Sequence, residues 1–86
     1  MDYSTNNFYN IYLESESGDK FLASTNYVTS LIYVLEKLTK KGKSVNYAPA
    51  CGKPQLPCID NPKSLLIKCE ALIADFEEEQ NNNTTL

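Results

Sequence analysis

Three cysteines, Cys51, Cys58 and Cys69, are the side chains best suited to covalent or metal chemistry, because the chain contains no histidine. That absence removes Ser-His and Cys-His nucleophile pairs and every imidazole metal ligand. Six residues separate Cys51 from Cys58, where redox and zinc motifs place two. With Cys69 added the set reaches three thiolates, so a closed zinc site needs Asp60 or an outside donor. Lys53 stands two residues from Cys51, and a neighbouring ammonium lowers a thiol pKa, which leaves a Cys51 nucleophile conceivable. A structural thiol is the simpler reading for Cys51. Cys69 falls on the apolar face of an expected helix, where a free cysteine behaves as a small hydrophobe. Phosphate-cradling loops of the form G-x-x-x-x-G-K-[ST] or G-x-G-x-x-G are missing. The expectation is a protein that is not an enzyme and that carries no metal or cofactor.

Binding chemistry is better represented. The stretch "APACGKPQLPCIDNP", residues 48–62, holds all four prolines. Proline restricts the chain before a partner arrives, so less entropy is lost on docking. Lys53, Gln55 and Asp60 are its polar contact candidates, whereas Leu56 and Ile59 are expected to pack inward beneath a crossover strap. A second candidate is the cluster Lys37, Lys40, Lys41 and Lys43 at the end of a helix, a place that favours cations by about 0.3–1 kcal/mol each. With Tyr33 and Tyr47 available for stacking, it could hold a small anionic, nucleotide-like ligand. A third is the run Glu77, Glu78 and Glu79, preceded by Glu70 and Asp75. Acids at a helix C-terminus oppose the dipole, so they must answer either to the protein's own lysines or to a basic partner.

The elements that position these groups follow from periodicity. Residues 8–14, "FYNIYLE", alternate Tyr9, Ile11 and Leu13 with Phe8, Asn10, Tyr12 and Glu14, which predicts a strand. Gly18-Asp19 supplies turn chemistry, and "KFLAS" is the return strand of a hairpin. "STNYVTSLIYVLEKLTKKG" reads as a helix capped by Ser24, Thr25 or Asn26 and closed by Gly42. Its predicted apolar face is Tyr27, Val28, Leu31, Val34, Leu35 and Leu38. Val45 and Tyr47 alternate ahead of Pro49, which suits an edge strand. Asn61 and Pro62 open a second helix to about Gln80, facing inward with Leu65, Leu66, Cys69, Leu72, Ile73 and Phe76. The fold class predicted is α+β: one small ββαβα domain over residues 8–80, a three-stranded sheet with two amphipathic helices on one face. A polar arm (1–7) precedes it, and an Asn/Thr-rich tail (81–86) is expected to be disordered.

The totals bound the function. Of 86 residues, roughly 70 are left to fold, a size that buries only about 60% of its unfolded surface and gains from association. The stripe Ile67, Ala71 and Ala74, opposite the main face of the second helix, is a candidate homodimer contact. No apolar run has the length of a membrane span and no signal peptide is recognisable, so the expected location is the cytoplasm, with reduced thiols. Residues 1–19 carry four acids and no lysine; residues 20–68 carry all eight lysines against Glu36 and Asp60, a local +6; residues 69–86 carry five acids. A net charge of −3 without arginine disfavours nucleic acid as a partner. Abundant Asn, Lys, Tyr and Ile suit an AT-rich coding genome, such as that of a low-GC bacterium, its phage or a large virus. The leading expectation is a phage- or virus-encoded inhibitor or adaptor that docks on a protein target, for example to block a host defence system. The alternative is a protein that sequesters an anionic ligand, at a dimer interface.

Overall fold

The computed structural model describes residues 8–50 and 54–84. Five elements follow in the order β1 (Tyr9–Leu13), β2 (Lys20–Thr25), α1 (Val28–Lys40), β3 (Val45–Pro49) and α2 (Pro62–Thr84). This is the predicted ββαβα order. The sheet has the order β2-β1-β3 and is antiparallel throughout.

Turn chemistry closes the hairpin. Gly18 takes φ +117°, and its N–H donates to the Ser15 carbonyl at 3.1 Å. Between β1 and β2 the register slips: Ile11 faces Ala23, but Tyr12 faces Phe21, so Leu22 is the extra residue of a bulge. Leu22, Ala23, Ser24 and Thr25 are all fully buried, so both faces of this half of β2 are covered. Phe21 then joins Tyr12 on the opposite face, ring centroids 6.0 Å apart and edge-on.

Helix α1 starts one to three residues later than its polar run suggests. Its N-cap is Tyr27, whose side chain offers no capping acceptor, and the Tyr27 N–H donates to the Thr25 hydroxyl at 3.2 Å. At the other end Gly42, at φ +82°, donates to the Thr39 carbonyl, and Lys43 donates to Leu38. These two bonds form a Schellman close. Leu31, Val34 and Leu38 point into the core, whereas Tyr27 and Val28, expected on that face, are exposed. Helix α2 opens as predicted: the Ser64 N–H donates to Asn61 Oδ1 at 3.0 Å. Its backbone runs four residues past the end read from sequence.

Both helices lie on one face of the sheet, α2 chiefly against β2 and α1 against β3 and α2. Ile11, Leu22, Ala23, Leu31, Val34, Leu38, Leu65, Cys69 and Ile73 make the buried core. Each large side chain among them stabilises the fold by roughly 1.5–3 kcal/mol. Tyr9, Leu13, Val45, Leu66, Leu72 and Phe76 seal its margin.

Candidate functional site

The proline stretch is tied to the outer edge of β2. The Ser24 N–H donates to the Pro57 carbonyl and the Ile59 N–H donates to the Ser24 carbonyl, each at 2.8 Å, so Cys58 pairs with Ser24 as a one-residue parallel strand. The Ser24 side chain, fully buried, accepts from the Gln55 N–H at 3.2 Å and donates to Asn10 Oδ1. Asn10 in turn donates to the Tyr12 hydroxyl at 3.3 Å. One serine thereby joins β1, β2 and the strap.

Asp60 fixes the far end of the strap. Its carboxylate accepts from Thr25 Oγ1 at 3.1 Å and from the Asn26 N–H at 3.0 Å, and its carbonyl accepts from the Ser30 hydroxyl. Of the polar residues singled out in this stretch, Asp60 is therefore engaged within the fold, and Gln55 is anchored by its backbone with its side chain exposed. Lys53 and Cys51 lie outside the described residues.

The apolar pair divides. Ile59 packs against the core as expected. Leu56, expected beside it, is instead 82% exposed. The chain bends at Leu56, so alternation holds only along the short extended piece that follows it. Pro57 and Ile59 turn inward, whereas Leu56 and Cys58 turn out. The Leu56–Pro57 peptide bond is cis.

The lysine cluster is spread across two surfaces. Lys41 pairs with Glu70, and Lys43 with Glu77 at 2.7 Å. These contacts account for two of the acids on α2 and leave Asp75, Glu78 and Glu79 exposed. Lys37 lies 5.5 Å from the centroid of the Tyr33 ring on the outer side of α1. Lys40 is exposed beside Glu36. Tyr47 is on the sheet, edge-on to Tyr9 at 6.2 Å, whereas Tyr33 is on α1. An open groove of about 720 Å³ runs between the hairpin turn and α2, lined among others by Glu14, Glu16, Glu77, Glu79, Lys20 and Lys43. Its hairpin carboxylates carry no sequence signal, because only the fold brings them to α2. Among the described residues, no cluster of three His, Cys, Asp or Glu side chains is placed to hold a metal.

The two thiols among the described residues, Cys58 and Cys69, are poor nucleophiles. Burial, reinforced by the neighbouring Asp60 charge, raises the Cys58 thiol above its ordinary value. Burial, with a lesser contribution from Glu70, pushes Cys69 up to about 12. Both therefore stay protonated near neutral pH.

None of the described helices is long and apolar enough to cross a membrane. No protein-family model, no curated protein and no solved structure matches the chain.

Proposed function

We propose that this chain is a non-catalytic interaction protein that docks on a protein target through the tip of its strap, with Leu56 as the anchor. The carrying observation is Leu56 itself: 82% exposed, on a backbone held on both sides by bonds to Ser24. A leucine presented in this way costs water contact while free and recovers it in an apolar pocket. Because the strap is already ordered, little conformational entropy is lost on docking. Gln55 and Cys58 flank it as exposed polar neighbours, the rim that a central anchor needs.

The non-catalytic reading is supported by the lack of histidine and by the Cys58 and Cys69 thiols, which stay protonated. It fits a reducing cytosol. A short chain free of arginine and histidine suits an AT-rich phage or viral genome, where occupying a surface of a host defence protein is the task of such a module. Ligand sequestration is the weaker reading, since Lys41 and Lys43 already face carboxylates of α2.

The test is quantitative capture from host lysate on immobilised wild type, Leu56→Ser and Ile67→Ser. Truncation of a central anchor costs about 2–4 kcal/mol, so Leu56→Ser should lose bound partner by roughly thirtyfold or more. Ile67→Ser should retain it, with thermal midpoints unchanged in both. Equal capture by Leu56→Ser overturns the proposal.

A further inference from the structure

The two edges of the sheet are treated differently. The β2 edge is covered by the strap through Ser24. The β3 edge has no neighbour among the described residues. Ala50 donates to the Phe8 carbonyl and Glu14 to that of Ser44, so the even-numbered residues of β3 bond to β1. In an antiparallel ladder the alternate residues then point their backbone groups away, here Val45, Tyr47 and Pro49. Edge strands are ordinarily blunted by charge, bulges or cover. "VNYAP" carries no charged residue, and Pro49 at its end is its one blunting feature.

An apolar flank overhangs this edge. On α1, Val28, Ile32 and Leu35 follow i, i+4, i+7 spacing and form one stripe. The groups of α1 that reach toward α2 are Ser30, bonded to Asp60 just ahead of that helix, and Lys41, paired with Glu70. At about 100° per residue Ile32 stands nearly opposite both, so the stripe faces away from α2 on the β3 side. Tyr47 sits opposite Ile11 in the ladder and shares its helix-facing side, yet it is 52% exposed. Val28 and Ile32 are 40% and 50% exposed.

We infer that a second copy of this chain occupies this surface, pairing β3 with β3 about a two-fold axis at Tyr47 to make a continuous six-stranded sheet. The edge is self-complementary. The two Tyr47 residues exchange both backbone bonds, and each Val45 N–H meets the carbonyl of Pro49 in the other copy. Every outward donor is satisfied, and only the Val45 carbonyls, set against the proline nitrogens at the two ends of the ladder, are left to water. The α1 flanks close over the two Tyr47 rings. Because the strap seals the opposite edge, the pairing ends at two rather than growing into a fibre. Taking about 200 Å² for a tyrosine and somewhat less for Val and Ile, burying the exposed parts of Tyr47, Val28 and Ile32 removes roughly 250 Å² per protomer. With the strand edges the total reaches roughly 1,000 Å², the threshold for a specific interface, which implies micromolar rather than nanomolar association.

The arrangement stands independently of the Leu56 anchor but bears on it. Dimerisation through β3 leaves the straps on the two outer edges, about seven strand spacings or roughly 34 Å apart before twist. The dimer would be bivalent, and a target with two sites at that span gains avidity without any new contact.

Sedimentation equilibrium from about 10 µM to 1 mM, the range a small interface calls for, tests the inference together with amide exchange at Val45 and Tyr47. The wild-type mass should rise from 9.7 kDa toward twice that value, with both amides growing more protected as concentration increases. Ile32→Lys and Tyr47→Lys should stay monomeric with wild-type circular dichroism, while Ile67→Lys should dimerise normally. A monomer throughout the range, species larger than a dimer, or a dimer lost in Ile67→Lys and kept in Ile32→Lys would each overturn it. So would β3 amides that become protected only when a captured target is added. Capture by the monomeric Ile32→Lys protein separates the two proposals: it should fall through lost avidity, whereas Leu56→Ser should abolish it even in the dimer.

Discussion

Ser24→Ala removes one oxygen atom and should loosen the molecule at its most connected point. Ser24 is fully buried, and its hydroxyl serves the Gln55 N–H and Asn10 Oδ1. The substitution keeps the backbone bonds to Pro57 and Ile59 and leaves almost no cavity. Its cost is therefore the desolvation of two orphaned groups, about 1–3 kcal/mol for each that stays buried. Asn10 stays buried, but the Gln55 backbone can turn to water, so the expected loss is about 2–3 kcal/mol. For a chain of 86 residues the whole stability is of order 4–13 kcal/mol. In urea denaturation the midpoint should fall with the slope unchanged, and the thermal midpoint should fall by roughly 10–20 °C. Ser44→Ala, on an exposed residue, should stay within about 0.5 kcal/mol of wild type. A loss below about 0.5 kcal/mol for Ser24→Ala, or strict additivity with Asn10→Ala, would refute the claim that this hydroxyl couples strap to sheet. Since Leu56 would then ride on a looser strap, target affinity should also drop several-fold with the leucine intact.

Other consequences are simpler to state. Asp60→Ala removes the acceptor of the Thr25 hydroxyl and the Asn26 N–H, and calorimetry should show a loss of about 1–2 kcal/mol, moderated by the exposure of the carboxylate. Lys43→Glu should cost no more than about 1 kcal/mol, as exposed pairs do, and Glu77→Lys in the same chain should restore it, measured by chemical denaturation. Cys69 has a folded-state pKa of about 12 against 9.0 when unfolded, so its contribution is complete below pH 9.0 and is lost as pH rises toward 12. Relative to Cys69→Ala, wild-type stability should decline above pH 9.0 by up to about 1.4 kcal/mol per pH unit. Cys58 should react with a disulfide reagent more slowly than a free thiol, and Asp60→Asn should speed it up by removing the adjacent negative charge.

The element order was legible because each element announces itself locally. Alternation in "FYNIYLE", the Asn61-Pro62 start and the Gly42 stop all act within one turn of chain, and all three do what their residue types require. The position of Val28 was not legible in the same way. A helical wheel ranks faces by polarity, but which flank is roofed depends on neighbours, and α1 has α2 on one side only. The pairing of Lys41 with Glu70 and Lys43 with Glu77 was foreshadowed by the acidic-basic-acidic order of the chain. Their register could not be, since the partners are 29 and 34 residues apart. The Leu56 orientation was not legible, because the chain bends at that residue and four prolines do not say where a bend will fall. The bridge at Cys58 had no signal at all, because a one-residue strand has no period.

A small three-stranded sheet has two edges and few residues with which to protect them. Here a long connection crosses from β3 to α2 and is spent on the far edge, against β2, when a shorter one would join the same elements. A strap needed only for connection has no reason to be proline-stiffened or bonded three times to a single serine. A strap needed only to block aggregation would not end in an exposed leucine. Together the two features fit one device that closes an edge and displays an anchor, while β3, uncharged and flanked by Ile32, has no neighbour on the opposite side among the described residues. If protection alone governed the design, β3 would be the first strand to receive a lysine. Val45→Lys therefore discriminates: under simple edge protection it should raise solubility with no change in assembly, whereas under pairing about Tyr47 it should abolish the dimer at millimolar concentration while leaving single-site capture by Leu56 in place.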